Sequence, residues 1–297
     1  NEDIVMRLLT AKEPMALESM EFAQPTLTAL LETIEKPHGI ILCVGPTGSG
    51  KTTTLHAVLH RLNTDARKIW TAEDPIEITQ EGLRQVQVVP KIGFTFAAAM
   101  RSFLRADPDV IMIGEMRDKE TAEVAVEASL TGHLVLSTLH TNSAVETVIR
   151  LLDLGCDPFN FADAMQGVLA KRLCKRLCTH CKEPYHASAQ EYDKLFRDYG
   201  PASWEIMDLP VYDQGFTLYR GRGCDDCRQT GYKGRLALHE LLRGSEEMKN
   251  LIQNRAKMAD MISMAKKEGM ITLLQDGILK VLGGHTTFDQ VRAVAMK

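Results

Sequence analysis

Three features of the sequence predict an α/β fold with a mostly parallel sheet. Between residues 28 and 170, short apolar runs alternate with segments of helical periodicity, the pattern of strands covered by helices on both faces. A glycine-rich turn joins one apolar run to the helix after it, as in strand–loop–helix phosphate sites. A cysteine-rich stretch then breaks the alternation and marks a second, smaller unit.

The elements follow in order. Residues 2–9, EDIVMRLL, read as the last strand of a preceding domain, and 10–25, broken by Pro14 and Pro25, as mixed linker; residues 1–27 form this first segment. Leu27, Leu30, Leu31 and Ile34 predict a helix over 26–36. GIILCVG reads as a buried strand, followed by a helix over 51–62. A strand over 68–72 and a hairpin arm over 85–89 come next. Helices over 96–104, 119–130 and 144–154 then alternate with strands over 109–114 and 134–138. The core is therefore 28–170. Residues 171–235 carry five of the seven Cys and many Gly and Pro, so a sheet reading fails there and a small separate unit is expected. Residues 236–297 return to helical periodicity, with Met258, Met261 and Met264 as a core stripe.

Composition narrows the function. Hydrophobic residues make up 44% and charged residues 25% of the 297, which excludes a disordered or low-complexity chain. A net charge of -4 argues against a dedicated duplex-DNA binder. No apolar run reaches the roughly 20 residues of a membrane span. The seven Cys do not suit a disulfide framework, which belongs to short secreted chains.

Five motifs carry chemistry. Gly45, Pro46, Thr47, Gly48, Ser49, Gly50, Lys51 and Thr52 match G-x-x-x-x-G-K-[ST], followed by Thr53. Backbone N–H groups and a helix N-terminus form an anion site there, Lys51 reaches for phosphates and Thr52 for Mg²⁺. DVIMIG ends on Glu115, on the side of the sheet where ligands bind and where a carboxylate polarises an attacking water. Glu73, Asp74 and Glu77 cluster at another strand end, either near a metal or as an ordinary acidic turn. His133 and His140 bracket a further strand, with His140 at the phosphate side. Arg101 and Arg105, four apart, suit one helical face and the charge of a transferring phosphoryl group, or a solvated basic face.

Cys178, Cys181, Cys224 and Cys227 form CxxC…CxxC with 42 residues between the pairs, a pattern for a closed structural Zn²⁺ site. His180 is an alternative ligand. Lys171, Arg172, Lys175 and Arg176 form a basic cluster, read as a solvated face before a nucleic-acid or acidic-partner contact.

These segments together resemble the secretion ATPase superfamily, in particular the type II secretion and type IV pilus assembly ATPases. GPTGSGKTTTLHAVL is similar to its Walker A, TAEDPIE to its Asp box, LRADPDVIMIGEMRD to its Walker B, TGHLVLSTLHTN to its His box, and GCDDCRQTGYKGR to the second half of its tetracysteine module. The resemblance implies a RecA-like P-loop NTPase core, a tetracysteine zinc subdomain and a C-terminal helical part. It implies a cytoplasmic homohexamer peripheral to the inner membrane, which hydrolyses ATP with Mg²⁺ to extend a pilus or pseudopilus. The partners would be a membrane platform protein and a cytoplasmic adaptor, with no nucleic acid. Glu115 inherits the catalytic-base role and Glu77 a supporting one, while Arg101 and Arg105 inherit trans-acting charge stabilisation. The family's AQRL stretch is Ala170-Lys171-Arg172-Leu173 here, and Cys174 stands where an apolar residue is usual. The tetracysteine module argues against a retraction motor, and its long spacer favours the pilus-assembly branch. A nucleic-acid motor and a nucleotide-gated scaffold are the rival readings.

Overall fold

A computed structural model describes residues 13–296. The strand expected over residues 2–9 lies outside the described residues. A single turn of 3-10 helix at Leu17–Met20 leads into α1 (Gln24–Ile34), which starts with Pro25 in its first turn. The core runs β1 (Gly39–Val44), α2 (Lys51–Leu62), β2 (Ile69–Glu73), β3 (Arg84–Gln87), α3 (Phe96–Phe103), β4 (Val110–Ile113), α4 (Lys119–Leu130), β5 (Leu134–Leu139), α5 (Ala144–Asp153) and α6 (Pro158–Ala164). Asp118 and Ser143 cap α4 and α5 through their side chains, which fixes where those helices begin.

The chain then departs from expectation. β6 (Met165–Leu177) runs unbroken through residue 170, beside β1 and parallel to it. After a two-stranded ribbon, β7 (Lys182–His186) with β8 (Thr217–Gly221), β9 (Tyr232–Arg243) returns antiparallel to β6. Among the described residues the sheet thus has seven strands in the order β3-β2-β4-β5-β1-β6-β9, of which only β9 runs against the others. The expected break at residue 171 falls inside a central strand. The helical reading from residue 236 is overturned for 236–243. β3 is a parallel edge strand beside β2, not a hairpin arm.

Alternation along β1 sorts the core. Ile40, Leu42 and Val44 face one helical layer, and Ile41 and Cys43 pack with α1 and α2 on the other side. Between β7 and β8 the chain forms α7 (Ala189–Tyr199), capped by a Ser188–Glu191 box, and α8 (Pro201–Ile206). Tyr192 sits among Phe196, Trp204, Tyr212 and Phe216, so the long spacer carries its own aromatic core. Four helices close the chain: α9 (Glu246–Gln253), α10 (Met258–Lys267), α11 (Leu273–Leu282) and α12 (Phe288–Ala295). In α10, Met261 is buried, Met264 is partly buried and Met258 is exposed, so the methionine stripe is core on one side only.

Candidate active site

The carboxyl ends of the parallel strands bring the glycine loop, Glu115 and His140 together on one edge. At the end of β1 the chain turns through Gly45 and Gly50. Both have positive φ, and a Cβ on Gly45 would lie 2.4 Å from the Lys171 carbonyl, so only glycine fits. Lys51 opens α2, and its ammonium donates to the carbonyls of Gly45 (2.8 Å) and Pro46 (3.2 Å). Burial depresses the Lys51 pKa, while the Glu115 carboxylate favours its charged form. The Ser49 hydroxyl is buried and has no hydrogen-bond partner among the described residues. An orphaned donor inside a loop of backbone N–H groups at a helix N-terminus fits a polyphosphate. Thr52 and Thr53 follow on the first turn of α2, both half-buried.

Glu115 lies just past β4, two strands away from the loop. One carboxylate oxygen pairs with Arg117 and the other lies 3.5 Å from His140 Nε2, at the end of β5. The backbone before it is fixed by two hydroxyls of β5. Ser137 donates to the Ile113 carbonyl (2.9 Å) and Thr138 to the Gly114 carbonyl (2.6 Å). His133, at the opposite end of β5, has its Nδ1 2.8 Å from the Ala128 carbonyl and serves the end of α4.

The acidic cluster divides. Glu73 is buried and faces the protein, not the phosphate edge. It accepts from Thr71 (2.7 Å) and Gln85 (2.9 Å) and lies 3.2 Å from His56 of α2. Burial alone would raise this carboxyl, but the hydrogen bonds from His56, Gln85 and Thr71 outweigh it and hold the pKa below the usual carboxylate range. Gln80 completes the network on His56 Nδ1 (2.7 Å). Asp74 is exposed and Glu77 half-buried in the loop that follows.

Arg101 and Arg105 do not share a helical face. α3 ends at Phe103, and only Arg101 is on it, paired with Glu120 at 2.8 Å. Both arginines are exposed.

The basic cluster is the largest correction. Lys171 and Arg172 are buried at 4% and 5% exposure, because β6 carries them against the phosphate loop. Successive strand residues point to opposite faces. Lys171 reaches Thr54 Oγ1 (2.6 Å) and the Gly50 carbonyl (3.4 Å), while Arg172 donates to the Asn142 carbonyl (2.7 Å), two residues after His140. Burial lowers the pKa of both. Near Arg172, the buried Glu240 accepts from the backbone N–H of Ala144 (2.9 Å) and of Leu273 (3.2 Å), joining α5 to α11. A basic run reads as surface from sequence; the one available signal was its position directly after the apolar run of residues 167–170.

At the far end of β6 and β9, the four sulfurs of Cys178, Cys181, Cys224 and Cys227 lie within 4.8 Å of one another. Three of their separations are 3.7–3.8 Å, the edge of a tetrahedron with metal–sulfur bonds of about 2.3 Å. Although burial opposes the Cys227 thiolate, N–H donors from Cys224 (3.3 Å) and Gly231 (3.2 Å) help bring its pKa down to about 6. The donor set fits Zn²⁺. His180 lies outside it, largely exposed and 3.4 Å from Asp226.

Residues 1–293 match the protein family described as Type II/IV secretion system protein. The chain belongs to that family. It is 47% identical over 294 residues to the type II secretion system protein E of Pseudomonas aeruginosa, covering 99% of this chain and 56% of that protein. It is 44% identical over 293 residues to the type IV pilus assembly ATPase PilB of Thermus thermophilus, covering 98% of this chain and 32% of that protein. The chain thus spans at most about half the length of these family relatives. Among solved structures, the pilus retraction motor PilT with bound ADP superposes with a TM-score of 0.69 at 26% identity, covering 98% of this chain and 69% of that one. The Legionella pneumophila ATPase DotB shares the fold at TM-score 0.66 and 23% identity, over 95% of this chain and 65% of that one. No helix among the described residues of this secretion-family chain is long and apolar enough to cross a membrane.

Proposed function

We propose that this chain is the motor part of a Mg²⁺-dependent ATPase that assembles a pilus or a type II secretion pseudopilus. The observation that carries the proposal is the placement of Glu115 beside His140 and within electrostatic reach of Lys51, on the edge where the glycine loop opens. Gly45–Gly50 backbone N–H groups, Ser49 and Lys51 bind the polyphosphate. Thr52, on the first turn of α2, would hold Mg²⁺, which supplies charge neutralisation when bound. Glu115 orients the water and accepts its proton, and His140 steadies that carboxylate. Glu77 supports the same edge from the loop after β2.

Arg101 and Arg105 are exposed just before β4, where they serve the site of a neighbouring subunit in a homohexamer. Arg101 must leave Glu120 to do so. The tetracysteine cluster binds Zn²⁺ in a closed, structural role. A cytoplasmic location at the inner membrane, a platform protein and a cytoplasmic adaptor complete the reading. The names of the relatives and the shared motor fold support it. The test is phosphate release from ATP by the purified protein with Mg²⁺ and with excess chelator. No release with Mg²⁺ in an assembled hexamer overturns the reading.

A further inference from the structure

Lys171 is a buried cation without a matching anion. Its ammonium is held by one hydroxyl, Thr54 Oγ1 at 2.6 Å, and one carbonyl, Gly50 O at 3.4 Å. Among the described residues no carboxylate oxygen lies within 4.0 Å of it. The Cys43 thiol, which burial pushes up to about 11, stays neutral, and the Lys280 ammonium repels the charge. Lys280 itself is paired with Asp276. A buried charge normally requires a counter-charge. Nearby, the glycine loop supplies a place for one. A Cβ on Gly50 would lie 3.4 Å from Lys171 Nζ, so the ammonium stands directly behind the residue that precedes α2. Lys51 and Lys171 therefore approach the loop from different sides, one from the helix and one from the neighbouring strand.

We propose that Lys171 is a positioning residue for the polyphosphate of a nucleoside triphosphate. It pins the first turn of α2 through Gly50 and Thr54. It also sets a second positive charge behind the loop, and the bound phosphates are its counter-charge. The inference rests on the ATPase reading. It differs from it in assigning a through-loop electrostatic role to a side chain that never touches the ligand.

The test is direct binding of ATP and ADP to the purified protein, parent and variants, with Tm measured alongside. K171Q keeps a hydrogen-bond donor and removes the charge, K171R keeps the charge, and K171M removes both. K171Q should weaken ATP binding roughly tenfold, the scale of one screened charge near a polyanion, and ADP binding by less. Its salt dependence should be shallower than the parent's. K171R should recover most of the ATP affinity. A K171Q protein that folds and binds ATP and ADP as tightly as the parent overturns the proposal. So does an equal loss for both nucleotides with no recovery in K171R, the mark of a merely structural lysine. If K171M fails to fold, the Gln and Arg pair still decides. A parent that binds no ATP overturns the ATPase reading and this one with it.

Discussion

The hydroxyl of Thr138 donates a 2.6 Å hydrogen bond to the carbonyl of Gly114, the residue before Glu115. Met116 N–H returns the contact to the Thr138 carbonyl at 2.9 Å, so Glu115 lies between two anchors on β5. Thr138→Val removes one anchor while preserving shape. We expect kcat to fall roughly tenfold with little change in KM, because a misplaced base loses orientation rather than substrate. Steady-state ATP turnover checks it; an unchanged kcat removes Thr138 from that role.

Glu115→Gln keeps the size of the side chain and its contacts with Arg117 and His140 but cannot accept a proton. Nucleotide binding should persist while hydrolysis falls by roughly 100-fold or more. Binding and turnover measured on one preparation separate the two effects. Turnover near the parent rate would move the base elsewhere on this edge.

The sulfur tetrahedron predicts about one zinc per chain by elemental analysis. Cys227→Ser should release the metal and lower Tm by roughly 5–10 °C, since the site clamps two chain segments 46 residues apart. Protein that is free of metal yet melts at the parent temperature is incompatible with this assignment.

Glu73 gives a pH signature. Its folded pKa lies below the usual carboxylate value. The stability it contributes is therefore complete above the unfolded pKa, about 4.3, and is lost as pH falls through the lower folded value. Glu73→Gln should cost about 1–3 kcal/mol near neutrality. The gap between parent and variant should then close as pH is taken from the unfolded value down through the lower folded one. Denaturant melts across that range test it, and a gap that widens on acidification refutes the assignment.

How much of this was legible from sequence depends on the range of the interactions. The glycine loop, Glu115 and the cysteine pairs are specified locally, and each sits where its motif implies. Lys171 and Arg172 were misread because their burial comes from β1 and β9, strands far apart in sequence from each other. β3 was misread because it pairs with β2 in parallel, across a connection of ten residues and not through a tight turn. The end of α3 at Phe103 separated Arg101 from Arg105, a matter of one helical turn that residue spacing does not resolve. The methionine stripe was half right because only one side of α10 meets other helices.

β6 also has a mechanical consequence. The same strand that presses Arg172 against Asn142 continues for six residues, about 20 Å, to the first zinc-binding cysteine. Its pairing with β9 has one irregularity, between Lys175 and Leu177. The cysteine clasp is thus joined by one strand to the nucleotide loop, with that irregularity on the stretch between them.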